Sequence, residues 1–161
     1  MNTDEHGWAK GGLEIHAPLR QTFLLAYALG LLLCVIWPLV LQVILGHVIA
    51  PSTTTAAELA TELGYAFTGL TALATLFVVR RWARIRAELS SHPPGLRSRT
   101  VLREILLYSA VFELSAAYGI VCYAMGGPGA ERYGRTFIAL PTLMFFLFVP
   151  RWRKWKVAAE G

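Results

Sequence analysis

The chain has 161 residues, 55% of them hydrophobic and only 16% charged, with a formal net charge of +5. One domain is the norm for that length, and a soluble domain carries about 25% charged residues. The charge deficit, with apolar residues gathered into long blocks, excludes an ordinary soluble domain and points to an integral membrane protein.

Residues 1–20 form a polar tail with Gly11, Gly12 and Pro18, expected to be irregular or to lie along a membrane surface. The tail opens with Asp4 and Glu5 where a secretory leader would be basic. A first span follows at 22–45, with no charge in 24 residues; about 20 suffice to cross a hydrocarbon core of ~30 Å. Pro38 predicts a kink whose freed carbonyl a neighbouring helix must satisfy. Trp37 and Gln42 suit an interfacial anchor and a local hydrogen bond. Cys34 and Cys122 sit too deep for a disulfide and read as small apolar packing. In the next connection, Ser52 or one of Thr53–Thr55 is placed to cap a short surface helix running toward Glu58 and Glu62.

The second span, 63–80, carries Gly64, Thr68, Gly69, Thr71, Ala72 and Thr75, small residues that let helices approach closely in lipid. Thr68, Thr71 and Thr75 fall on one helical face. Its helix is expected to overrun the membrane surface through a basic stretch, Arg80–Leu89, before a turn at Ser90–Gly95. The third span, 102–125, holds one charge within its apolar block Ile105–Gly127, Glu113, and stops at Gly126–Gly129. A fourth, 133–150, is short and contains Pro141. Residues 151–161 form a basic tail in which Trp152 and Trp155 read as interfacial anchors.

The basic residues divide unevenly between alternating sides: 13 fall in the two tails and the second-to-third connection, and 2, Arg132 and Arg135, between the third and fourth spans. By the positive-inside rule both tails are cytoplasmic. Such charges suit anionic lipid headgroups rather than nucleic acid. The expected fold is therefore all-α, a four-helix transmembrane bundle over residues 21–150, with both termini inside and the lipid bilayer as its partner.

Glu113 is the one candidate for chemistry. An acidic residue at a helix centre opposes insertion by roughly 2.5–3.5 kcal/mol, which the apolar residues around it offset. It is therefore expected to avoid lipid. Ser109, Ala110, Ala116 and Ala117 surround it on the helix with a small, weakly polar stripe suited to an interhelical seam. Depth counting from Arg103 and Arg80 puts Thr68 and Thr71 opposite, so a hydroxyl-to-carboxyl contact is expected. In one reading Glu113, Thr68, Thr71 and Ser109 are interhelical glue; in the other the carboxyl loads and releases a proton or a cation. No nucleophile–base pair, haem ligand pair or zinc cluster can be assembled, because His6, His16 and His92 lie outside the spans and the only aspartate is Asp4. Gly129–Thr136 mimics a phosphate loop but lacks its strand and soluble helix. Neither a catalytic residue, a metal nor a cofactor is expected, and the chain is read as a non-enzyme.

Residues 63–126 resemble the helical hairpin of the membrane-ring c subunit of rotary ATP synthases. The likeness rests on two apolar helices, an Arg-containing loop with proline, and the string Ala110–Val121 around a mid-membrane carboxylate. It implies an ion-carrying role for Glu113. The second span has only Gly64 and Gly69 where that family has a dense glycine repeat. Over more of its length the chain is similar to small four-helix bacterial membrane proteins of unknown activity, with their Glu113-to-Gly119 string and the Pro150-Arg151 ending. The expectation is an accessory or structural protein of the bacterial inner membrane, self-associating or docked to a larger complex; the alternative is a proton- or cation-translocating component.

Overall fold

The computed structural model describes residues 7–48, 57–125 and 130–160. They are almost entirely helical, with no strand among them. The elements are α1 (Gly7–Leu31), a π-turn (Leu32–Ile36) and α2 (Trp37–Val48), which run as one continuous helix, then α3 (Ala57–Glu88), α4 (Pro94–Met125), α5 (Glu131–Phe148) and α6 (Trp152–Glu160). Three stretches are long and apolar enough to cross a membrane: Leu19–Leu45, Thr61–Ser91 and Pro94–Ala124. The α5–α6 pair, bent by 42°, makes a fourth if counted as one span.

Several helices run further than the apolar blocks. Residues from Gly7 onward are already helical, despite Gly11, Gly12 and Pro18, so of the two forms expected for the tail the irregular one is absent over residues 7–19. Extending an existing helix adds a hydrogen bond for each residue fixed, without a new nucleation step. The second helix begins at Ala57 rather than as a separate surface helix; its expected caps at 52–55 lie outside the described residues, as do Gly126–Gly129. It does overrun its apolar block, to Glu88, and a 3-10 turn at Leu89–Ser91 ends it. The next helix starts eight residues before the expected Leu102. Pro94 takes its first position, where a missing N–H costs nothing, and the Pro93 carbonyl accepts from Leu96 and Arg97 at 2.9 and 3.1 Å. The C-terminal tail is also helical, as α6.

Two buried prolines interrupt the helices, and each interruption is repaired by a hydroxyl from a neighbour. Pro38 cannot donate to the carbonyl four residues back, that of Cys34; the chain widens there into the π-turn, and Thr142 Oγ1 of α5 donates to that carbonyl at 2.6 Å. Pro141 likewise frees the Phe137 carbonyl, to which Ser115 Oγ of α4 donates at 2.9 Å. The repair expected at Pro38 is thus present, and its mirror ties α4 to α5.

The α4 helix is the hub: 44% of its apolar window is buried, against 22% in the first stretch and 11% in the second. It meets α5 most closely at Gly119 and Gly134. A Cβ on Gly119 would lie 2.6 Å from the Gly134 carbonyl oxygen, and one on Gly134 would lie 2.9 Å from that of Gly119. The backbones therefore touch, as small residues allow in lipid.

Candidate functional site

At the level of the π-turn, α1 and α4 share a polar seam. The Cys34 thiol donates to the Ser109 carbonyl at 3.4 Å, and Ser109 Oγ bonds its own helix at Ile105 O, 2.9 Å. The absent side chain of Gly30 leaves room for this hydroxyl and for the Phe145 ring. Glu113 follows Ser109 by one turn. Both carboxylate oxygens are buried and have no hydrogen-bond partner among the described residues. The rest of the side chain borders the exposed stripe of Ala110, Leu114, Ala117 and Val121.

The expected pairing of Glu113 with Thr68 or Thr71 is not formed. Thr68 Oγ1 donates to Gly64 O at 2.7 Å, while Thr71 Oγ1 has no partner among the described residues. The reason is angular. At 3.6 residues per turn each residue advances about 100°, so Glu113, nine residues on from Glu104, points to the opposite side of α4. Glu104 and Tyr118 are the residues that meet α3, through Arg81 and through Phe67, whose ring stacks on Tyr118 at 4.5 Å. Depth matched and azimuth did not. Of the four expected site residues, the structure brings only Ser109 and Glu113 together.

A second constellation escaped the sequence reading. Glu104 is fully buried, and Arg81 of α3 grips it in fork geometry: Nε donates to Oε2, and Nη2 to Oε1 at 2.8 Å. Arg103 adds a third cationic contact at 3.0 Å. Tyr108, one turn on, is fully buried, and its hydroxyl has no hydrogen-bond partner among the described residues. A signal existed in the spacing: Arg81 lies nine residues before Ser90, and Glu104 nine after Gly95. Across a hairpin those positions face each other at equal depth.

The arginine count also hid structural work at this end. Arg97, counted for topology alone, donates to three carbonyls, His92 O at 2.6 Å, Ala159 O at 3.0 Å and Ser90 O. It thereby ties the α3–α4 turn to the C-terminal end of α6, where the helix dipole favours a cation. Trp155, expected as an interfacial anchor, is instead fully buried, edge-on to Trp82 at 4.6 Å.

The third feature is a groove. Between α3 and α5 lies a cavity of about 540 Å³ walled by Thr68, Thr71, Ala72 and Thr75 on one side and by Phe137 and Leu140 among others on the other. Next to it the outward face of α3 is bare: Ala66, Gly69, Leu70 and Leu73 are exposed, and nothing lies within 4 Å of a Cβ on Gly69. No family model matches the chain, and neither does any curated protein or solved structure.

Proposed function

We propose that this is a non-enzymatic accessory subunit of the bacterial inner membrane, a four-span bundle with both ends inside that presents α3 to a second membrane-embedded chain. The observation that carries the reading is the isolation of α3. Fixed to α4 by the Arg81–Glu104 pair and the Phe67–Tyr118 stack, it has only 11% of its apolar window buried, with Gly69 and Ala72 in the exposed stretch. Lipid tails are as apolar as leucine, so a second helix gains by close packing on small residues, not by hydrophobicity. The topology is supported by the shared location of α6, the α3–α4 turn and the start of the first span, linked through Arg97 to Ala159 and through Phe23 to Trp152 at 5.5 Å. α5, continued at the inner surface by α6, then serves as the fourth span. The test is the mass of the particle extracted in native-membrane nanodiscs. The unaltered chain should run as a larger assembly and Gly69→Leu as the single chain. Equal masses for the two would remove the docking role.

A second reading, proton carriage by Glu113, is favoured by one observation: its oxygens lack the partner that interhelical glue requires, and its stem reaches the lipid-exposed stripe. Carbodiimides modify protonated carboxyls from the lipid side. Under this reading they should label Glu113 in reconstituted membranes, with labelling fading as pH rises and absent in Glu113→Gln. No labelling at any pH, with helicity intact, would mean a sealed and inert side chain.

A further inference from the structure

At the turn end, Trp82 and Arg86 of α3 and Arg153, Lys154 and Val157 of α6 enclose a cleft of about 360 Å³. Four other cations nearby are engaged: Arg81 and Arg103 on Glu104, Arg97 on its three carbonyls, and Lys156 with Glu160 at 3.7 Å. The side chains of Arg86, Arg153 and Lys154 have no ion pair or hydrogen bond among the described residues, yet two packed helices hold them around one cavity. Their mutual repulsion favours an anion between them. The cleft lies just past the end of the apolar stretch of α3, at headgroup depth, with the Trp82 ring fixed against Trp155 and with Val157 exposed beside it. Tryptophan, basic side chains and an apolar rim at that depth are what a phospholipid headgroup meets favourably.

We propose that this cleft binds the phosphodiester headgroup of an acidic phospholipid, held between Arg86 on α3 and Arg153 and Lys154 on α6. The bound lipid bridges the two helices from below. The assignment rests on the membrane reading but not on docking at Gly69. A soluble phosphodiester shares the recognised chemistry, and the experiment separates the two sources.

Native mass spectrometry of the full chain in detergent, titrated with phosphatidylglycerol, phosphatidylcholine and the deacylated headgroup glycerophosphoglycerol, provides the test. Phosphatidylglycerol should be retained at least tenfold more tightly than either alternative. Each basic contact near an anionic surface corresponds to about a fivefold change in affinity. The triple variant Arg86→Gln/Arg153→Gln/Lys154→Gln should therefore weaken phosphatidylglycerol binding at least tenfold. The control triple Arg84→Gln/Arg99→Gln/Arg151→Gln removes the same charge outside the cleft and should weaken it less than threefold. All these side chains are exposed, and unchanged helicity is the check on folding. Equal weakening by the two triples would show diffuse charge attraction and overturn the site. Glycerophosphoglycerol bound as tightly as the lipid would overturn the lipid assignment.

Discussion

Gly119→Leu is expected to destabilise the protein by about 3 kcal/mol, the upper range for overpacking a close contact, because nothing nearby can yield. A Cβ at this position meets the Gly134 carbonyl oxygen at 2.6 Å, the Ile138 side chain at 2.6 Å and the Ile138 backbone nitrogen at 2.8 Å. Two of those atoms are backbone, so α4 and α5 must separate. Separation also strains the repair of Phe137 O by Ser115, the hydrogen bond that makes Pro141 tolerable. Even Gly119→Ala should lower the unfolding midpoint in detergent. Gly69→Ala is the contrast: its Cβ meets nothing within 4 Å, and alanine is the better helix former by up to ~1 kcal/mol. That variant should match or exceed the parent. Equal midpoints for Gly119→Ala and the parent would mean that the two helices do not touch.

Glu104→Ala is the second large effect. Removing one partner of a buried ion pair leaves an uncompensated charge, at a cost of about 3–5 kcal/mol. Here Glu104 is 0% exposed and the Arg81 side chain 29%, so the arginine can reach water in part and the loss should fall near 3 kcal/mol. Glu104→Gln should recover little, since an amide cannot neutralise Arg81. Arg81→Leu/Glu104→Leu should recover much of the loss, because an apolar pair of similar volume replaces the ion pair without stranding a charge; Arg103, 69% exposed, stays solvated. Thermal unfolding in detergent measures all three. If Glu104→Ala and the double variant proved equally unstable, the pair would be a packing feature and not an electrostatic one.

Apolar run length and proline placement made most of the helical architecture legible in advance. The 24 uncharged residues after Gln21 require a span, and Pro38 requires a polar neighbour for the Cys34 carbonyl. What sequence could not supply was rotation about the helix axes. Glu113 and Thr71 sit at similar depth, yet Glu104 and Tyr118 claim the face of α4 that meets α3, and that turns Glu113 toward α1. Such azimuths follow from which glycines let backbones touch, and the Gly119–Gly134 contact links residues that no local pattern joins. Glu104 was overlooked for a different reason. It stands next to Arg103 at the edge of an apolar block, where a charge reads as the end of a span, and its burial depends on Arg81 across the hairpin. Trp155 was misjudged in the same way, since an aromatic among basic residues looks interfacial until α6 folds back beneath Trp82.

Docking through α3 is tested by disulfide or bismaleimide cross-linking of Gly69→Cys in native membranes. The native Cys34 and Cys122 are buried and serve as an internal background. One discrete cross-linked band is expected, at twice the 17.8 kDa mass for a second copy or at another fixed mass for a different subunit, abolished when Ala72→Leu is added. A Gly69→Cys chain that stays monomeric under both reagents, while its thiol reacts freely with a small maleimide, would contradict it.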